Sequence, residues 1–196
     1  MGSPVNYVRD SIRESIAVKE AVLASDALLG SIARVAQVCI DAMRSGNRVL
    51  LAGNGGSAAD AQHIAAEFVS RFMYDRPGLP AMALTTDTSA LTAIGNDYGY
   101  ELLFRRQLEA NGRRGDVFIG ITTSGNSKNI LRAFERAKEL GIVTVALCGS
   151  GGVAAAMCDH AIAVPSGSTP RIQESHIAIG HVICGLVESA MFPQPR

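Results

Sequence analysis

The chain has 196 residues, of which 47% are hydrophobic and 18% are charged, a composition that predicts a globular protein and excludes a disordered one. Lys plus Arg and Asp plus Glu each total 18, so the formal net charge is zero and no overall positive field attracts nucleic acid or anionic lipid. The balanced charge therefore predicts no nucleic-acid partner. No apolar run is long enough to cross a bilayer, so we expect no membrane partner either.

The four cysteines are scattered in apolar surroundings and lack the paired spacing of a zinc knuckle: Cys39, Cys148, Cys158 and Cys184. They predict reduced core thiols in a cytoplasmic protein. The first residues also lack the charged-then-apolar pattern of a signal peptide.

The N-terminal segment, residues 1–46, predicts a pair of helices. Apolar residues recur at helical spacing from Tyr7 to Ser45, and Ser25-Asp26 divides the two runs and can cap the second helix. The pair carries more apolar residues than one covered sheet face requires. We therefore expect these helices to contribute to oligomerisation.

From residue 47 to residue 196 the pattern changes to short apolar runs that alternate with helical stretches. Five runs predict strands: Val49–Ala52, Ala81–Leu84, Val117–Ile121, Val143–Leu147 and Ala161–Val164. A last helix is predicted for Ile172–Met191. The predicted fold class is α/β, a doubly wound sandwich around a parallel sheet, and the length of the chain favours a single domain over 1–196. Ligands bind such sheets beyond the carboxyl ends of the strands.

A glycine-rich loop, Gly53-Asn54-Gly55-Gly56-Ser57, follows the first predicted strand and opens a helix. It is not a dinucleotide fingerprint, because Ala58 stands where the third glycine belongs and no acidic residue ends a second strand about 20 residues further on. Two interpretations stay open. The glycines either serve only the geometry of a tight turn, or they let backbone N–H groups contact a ligand.

The helix behind this loop carries His63 and Glu67 four residues apart. Its predicted faces are an apolar ridge of Ile64, Phe68 and Phe72, flanked by Ala61, Ala65 and Val69, and a polar stripe of Asp60, His63, Glu67 and Arg71. A solvated face with an i,i+4 pair is the ordinary explanation for such a stripe. The ligand loop two turns earlier favours a functional pair, either as acid and base or as metal ligands.

A second loop, Gly120–Ser127, resembles a P-loop, but Asn126 stands in the place of the lysine. Binding of the β and γ phosphates of a nucleotide is therefore disfavoured. Several hydroxyl groups at a helix N-terminus suit one phosphate group, whereas an ordinary N-cap needs only one hydroxyl.

In the last helix, Gln173 and His181 are eight residues apart and share a face. His176 lies elsewhere on the helical wheel, and Cys184 is one turn beyond His181. A core or capping role is the alternative for either histidine, and a zinc site that uses Cys184 is a further one.

Three segments, Gly53–His63, Thr123–Ser127 and Arg171–Glu174, resemble the sugar isomerase (SIS) domain family, and within it the phosphoheptose isomerases of bacterial heptose synthesis. The resemblance extends over nearly the whole chain and implies an SIS-type five-stranded parallel sheet. One departure is Cys148–Ala154, which is shorter and less charged than the family's usual loop and helix. We expect it to lie away from the matched ligands and to affect the packing of the fourth core helix more than the chemistry.

The resemblance also implies the residues of the site. One Zn²⁺ per subunit would be bound by His63, Glu67, Gln173 and His181, and the catalytic residues would be Glu67 and His181. The implied substrate contacts are Asn54, Gly55, Gly56, Glu67, Asn96, Asp97, Thr122, Thr123, Ser124, Ser127 and Gln173. Asn96 and Asp97 lie in Ile94–Tyr98, which the sequence otherwise predicts to be a polar turn.

The activity implied by the resemblance is an aldose-ketose isomerase that converts D-sedoheptulose 7-phosphate to D-glycero-D-manno-heptose 7-phosphate through an enediol, the first step of bacterial ADP- or GDP-heptose biosynthesis, which serves lipopolysaccharide or capsule. The family forms homotetramers, and we expect active sites at the subunit boundaries. One alternative is a non-enzymatic SIS regulator that binds the replication initiator DnaA, and another is a sugar-phosphate sensor without turnover. The regulators lack the acidic residue and the histidine that this chain has at Glu67 and His181, which favours the isomerase.

Overall fold

The computed structural model describes residues 3–194, and its strands form one five-stranded sheet in the order β2-β1-β3-β4-β5. The strands are β1 (Val49–Gly53), β2 (Ala81–Ala83), β3 (Val117–Thr122), β4 (Val143–Gly149) and β5 (His160–Val164). All four pairings are parallel. The predicted parallel α/β fold is confirmed, and each predicted strand overlaps an observed one.

Within the described residues, eight α-helices surround the sheet: α1 (Pro4–Leu23), α2 (Asp26–Arg44), α3 (Gly56–Val69), α4 (Thr88–Tyr98), α5 (Leu103–Asn111), α6 (Lys128–Leu140), α7 (Ala154–Met157) and α8 (Thr169–Met191). Successive strand side chains point to opposite faces, so Val49 and Leu51 pack with α2, α3 and α8, while Leu50 and Ala52 pack with α5 and α6. The three central strands, β1, β3 and β4, are buried on both faces except at Val143, which explains why they are almost continuously apolar.

The predicted N-terminal helical pair is present. The hydroxyl of Ser25 accepts a hydrogen bond from the N–H of Leu28 at 3.3 Å and caps α2, as predicted. Helix α2 buries one apolar face, whereas every residue of α1 stays at least partly accessible and its apolar residues Val8, Ile12 and Ile16 are half exposed or more. The role of α1 in oligomerisation stays a prediction.

Within residues 3–194, each helix taken alone falls short of the combined length and hydropathy that a bilayer crossing needs. Helices α1 and α2 meet that criterion only as a pair, and the pair is bent by 79° at its break.

Two predicted local structures are wrong. Helix α3 ends at Val69, so Arg71 and Phe72 lie beyond it rather than on its polar stripe and apolar ridge. The helix ends there because the guanidinium of Arg76 takes up the backbone carbonyls of Glu67 and Phe68, at 2.7 and 2.6 Å.

The second wrong prediction is the polar turn at Ile94–Tyr98, which is helical and forms the last part of α4. The carboxylate of Asp87 accepts a hydrogen bond from the N–H of Ala90 at 2.9 Å and starts this helix, which then continues through Asn96 and Asp97.

His176 is a core residue, which was one of its two predicted roles. Its side chain is fully buried, and Nε2 lies 3.1 Å from the carbonyl oxygen of Cys148. Burial lowers the pKa of His176 to about 4, although the hydrogen bond to the Cys148 carbonyl acts in the opposite direction.

We expect the free energy of unfolding to fall as the pH is lowered from about 6.5 to about 4. The pKa of His176 is depressed in the folded state, so between these values the unfolded chain binds the extra proton and acid favours unfolding. The difference corresponds to about 3 kcal/mol. Urea unfolding at several pH values measures it. His176→Leu should flatten the dependence of the free energy of unfolding on pH, whereas the control His160→Leu, at a half-buried histidine, should not. Equal pH dependence in the two variants would contradict the assignment to His176.

Candidate active site

A polar pocket of about 300 Å³ opens at the carboxyl ends of β1 and β3. It lies between the loops that follow β1 and β3 and the start of α8. Its ten lining residues are all uncharged: Asn54, Gly55, Gly56, Ser57, Ile121, Thr122, Thr123, Ser127, Thr169 and Gln173. Seven of the implied substrate-binding residues therefore share one pocket, where parallel sheets bind ligands.

Three helices, α3, α6 and α8, begin at this pocket. In the part of the chain that the structure describes, their cap residues Gly55, Ser127 and Ser168 make no side-chain capping hydrogen bond. N–H groups of the first turns are thus left to other acceptors, and three helix dipoles direct positive potential towards the pocket. An uncharged pocket of this construction suits a phosphate-sized anion.

The first loop depends on its glycines for geometry. Gly55 has a φ of 56°, a conformation that side chains rarely adopt. A Cβ on Gly56 would lie 2.6 Å from Nε2 of Gln173, which shows how closely the loop approaches α8. The tight turn is therefore present and places the backbone of the loop at the pocket, whereas contact between its N–H groups and a ligand stays a prediction.

The second loop is held from two sides. The hydroxyls of Thr122 and Ser127 are 2.9 Å apart, and the side chain of Ser124 is exposed at the rim and accepts a hydrogen bond from the N–H of Asn126. The carbonyl of Gly125 accepts hydrogen bonds from the N–H groups that begin α7, at 3.0 and 3.1 Å. The segment 148–154 therefore braces the second loop directly, and the prediction that it lies away from the matched residues is wrong.

Sequence analysis missed two residues that hold Asn54. Its amide exchanges two hydrogen bonds with the amide of buried Asn129, at 2.8 and 2.9 Å, and its Oδ1 also accepts from the hydroxyl of Tyr100 at 2.8 Å. Asn129 is polar at a buried position in the first turn of α6, a signal that the sequence pattern contained.

A second cluster lies between α3 and α8. Nε2 of His63 is 3.0 Å from Nε2 of His181 and 3.1 Å from Oε1 of Glu67. The helices approach closely here because residue 180 is glycine, and a Cβ on it would lie 2.6 Å from the side chain of Ile64. Residues 63 and 181 are thus in contact across 118 positions of the chain.

The donor set of this cluster fits zinc. The three candidate ligand atoms of His63, Glu67 and His181 all lie within 4.8 Å of one another. Two imidazole nitrogens and a carboxylate oxygen are common zinc ligands, and bonds of about 2.0–2.1 Å place tetrahedral ligands roughly 3.3 Å apart. The observed separations of 3.0 and 3.1 Å are close to that spacing.

Two further candidate zinc ligands, Gln173 and the alternative Cys184, do not belong to this group of three side chains. Gln173 contacts Gly56 in the pocket, and its eight-residue separation from His181 corresponds to about 12 Å along α8. Its role as fourth ligand stays a prediction. Among the described residues, the group of candidate ligand atoms formed by His63, Glu67 and His181 does not include Cys184, whose side chain is buried.

The pocket and the cluster lie along the same two helices. Gly56 and His63 are seven residues apart on α3, and Gln173 and His181 are eight apart on α8. Both intervals are about two helical turns, or about 10–12 Å. One elongated ligand, anionic at one end, can therefore occupy both.

Asn96 and Asp97 lie elsewhere in the chain. The amide of Asn96 donates to the carboxylate of Asp97 at 2.8 Å, and Asp97 lines a separate groove of about 560 Å³ beside Arg106. Within one subunit these two residues are not brought to the pocket described above.

This fold and these loops define an SIS domain, and the family model for the SIS domain matches residues 12–159. The chain is 65% identical over 188 residues to the phosphoheptose isomerase of Aneurinibacillus thermoaerophilus, covering 95% of each protein. It is 58% identical to that of Burkholderia mallei over 96% of each. The chain belongs to the phosphoheptose isomerase family.

Solved structures of phosphoheptose isomerases superpose closely on this chain. A phosphoheptose isomerase from Francisella tularensis superposes with a TM-score of 0.92 at 36% identity, over 96% of this chain and 100% of the other. A phosphoheptose isomerase from Neisseria gonorrhoeae superposes with a TM-score of 0.89 at 43% identity, over 95% of this chain and 100% of the other. These comparisons give no support to the DnaA-binding alternative.

Proposed function

We propose that this protein converts D-sedoheptulose 7-phosphate to D-glycero-D-manno-heptose 7-phosphate, as the first step of ADP- or GDP-heptose biosynthesis. The observation that carries the proposal is the His63–Glu67–His181 cluster two helical turns from an uncharged pocket at three helix N-termini. The family to which the chain belongs supports the substrate.

The pocket is the proposed phosphate site. Thr122, Thr123, Ser124 and Ser127 offer hydroxyl groups, and the loop around Gly55 offers backbone N–H groups. Anchoring the phosphate there leaves the rest of the sugar chain to extend towards the cluster. Binding energy from this remote group then orients the carbons that react.

The reaction moves a proton between neighbouring carbons. A base takes a proton from the carbon next to the carbonyl to give an enediol, and the proton returns to the adjacent carbon. Glu67 is the proposed base at carbon, and His181 is the proposed group that exchanges protons with the oxygens. The two side chains meet in one cluster, as this pair of roles requires.

A zinc ion held by His63, Glu67 and His181, with Gln173 as the proposed fourth ligand, would polarise the carbonyl oxygen of the substrate as a Lewis acid. Ligation lowers the basicity of a carboxylate, so the proposed roles of Glu67 compete. We expect Glu67 to bind metal in the resting state and to be free when it accepts the proton.

The proposed assembly is a homotetramer with active sites at subunit boundaries. A second subunit would supply contacts that one chain leaves apart, with Asn96 and Asp97 as candidates. The exposed apolar residues of α1 and the apolar groove between α1, α2 and α8 support such contacts, since one chain leaves Leu23 and Val182 more than half exposed. The reaction is proposed to take place in the cytoplasm, where buried thiols stay reduced.

Light scattering at micromolar concentration is expected to give a tetramer rather than a 20.6 kDa monomer. Activity should fall on dilution, because dissociation would remove the contacts that a second subunit is proposed to supply to each site. A monomer that turns over substrate at full rate would refute the shared-site proposal.

The proposed activity is tested by incubating the purified protein with sedoheptulose 7-phosphate and assaying formation of the aldose. Zinc content is measured on the same sample. Turnover supports the isomerase, whereas binding of the sugar phosphate without turnover would identify a sensor.

A further inference from the structure

Arg76 and Glu188 form a buried ion pair next to the cluster. Nε of Arg76 lies 3.0 Å from Oε1 of Glu188, and the two side chains are 2% and 1% exposed. Breaking such a pair leaves an uncompensated buried charge, so each side chain constrains the groups around it.

Arg76 holds the end of α3. Its guanidinium donates to the backbone carbonyl of Glu67 at 2.7 Å and to those of Phe68 at 2.6 Å and Ser70 at 3.1 Å. A cation at this position satisfies carbonyls that lack helical partners and complements the helix dipole. The last turn of α3, which carries Glu67, is thereby fixed.

Glu188 holds the turn after α3. Its carboxylate accepts hydrogen bonds from the N–H groups of Phe72 at 2.8 Å and Met73 at 2.7 Å. The ring of Phe72 stacks on His181, with centroids 5.5 Å apart and planes inclined by 25°. Gly185, one turn beyond His181, leaves room for this ring.

We propose that Arg76 and Glu188 are positioning residues for the reaction, with Arg76 fixing Glu67 through its backbone and Glu188 fixing His181 through the ring of Phe72. This inference rests on the proposed function. One buried ion pair thus orients two proposed catalytic residues that come from different helices. Neither Arg76 nor Glu188 needs to touch the substrate.

The test replaces the carboxylate with the isosteric amide, Glu188→Gln, which retains volume but provides one acceptor where two were used. We expect kcat to fall about 10- to 100-fold. The KM for sedoheptulose 7-phosphate should stay within about threefold, because the pocket lies two turns away. Asp116→Asn is the matched control, since that buried carboxylate also accepts two backbone N–H bonds, at 3.0 and 2.9 Å, and pairs with Arg48. It precedes β3, at the opposite end of the sheet from the pocket.

A second pair of variants covers the case in which Glu188→Gln fails to fold. Phe72 is only partly buried, so Phe72→Leu should fold, and it removes the ring while leaving the ion pair. We expect the same loss of kcat with little change in KM, and recovery in Phe72→Tyr, which restores a ring. A kcat per folded protein that is unchanged in Phe72→Leu, or no lower in Glu188→Gln than in Asp116→Asn, would overturn the proposal.

A readout that does not need turnover separates this inference from the proposed function. The chain has four histidines, and histidine-selective ¹⁵N labelling allows the ring signal of His181 to be followed. Glu188→Gln and Phe72→Leu should shift that signal, and Asp116→Asn should not. If the wild type lacks turnover, the isomerase proposal fails and the spectrum alone decides the positioning. An unmoved His181 signal in both variants would then overturn it.

Discussion

Replacement of Glu67 by Gln is expected to lower kcat by about 10²–10⁴-fold, the usual contribution of a positioned acid or base, while the KM for the sugar phosphate stays near the wild-type value. The amide keeps the size of the side chain but cannot accept the proton from carbon. The backbone carbonyl of residue 67 should still accept the hydrogen bond from Arg76, so the end of α3 is retained. Steady-state kinetics with sedoheptulose 7-phosphate measures both parameters.

Two controls support the interpretation of that experiment. Glu135→Gln changes an exposed carboxylate of α6 that pairs with Arg132 at 3.0 Å, remote from the cluster, and should leave kcat unchanged. Zinc content of the Glu67→Gln protein shows whether lost turnover accompanies lost metal or occurs with metal retained. A near-normal kcat in Glu67→Gln would show that another group is the base.

Removal of metal by a chelator is expected to lower turnover by about 10²-fold or more, and added Zn²⁺ should restore it. A Lewis acid at the carbonyl contributes several kcal/mol to the transition state, and each 1.36 kcal/mol is about tenfold in rate. The metal-free protein should stay folded, because His63 is about half exposed and the cluster lies outside the two apolar cores.

His63→Ala is the specific test of the metal assignment. It removes one imidazole and should lower both zinc content and turnover, and added Zn²⁺ should restore neither to the wild-type level. Substitution of His160, which lies on β5 away from the cluster, is the control. Full turnover in rigorously metal-free protein would exclude the proposed role of zinc.

The end of helix α3 is set by a tertiary contact and not by the local sequence pattern. The helical periodicity of residues 56–72 continues without a visible break, so it predicted a helix long enough to include Phe72. The helix stops at Val69 because Arg76, folded back from the following turn, takes its last carbonyls. A side-chain cap from beyond the helix is not visible as periodicity.

The sequence by itself determined the sheet, its approximate strand boundaries, the two ligand loops and the His63–Glu67 pair. These features depend on near neighbours, since a strand buried on both faces must be continuously apolar and residues four apart must share a helix face. The family resemblance implied that His63 and His181 share a site, and the tertiary structure shows the two side chains in contact. Only the tertiary structure decided that Asn129 and Tyr100 hold Asn54 and that segment 148–154 braces the second loop. Each is a contact between distant segments, and its geometry follows from how helices pack on the sheet, which residue spacing does not encode.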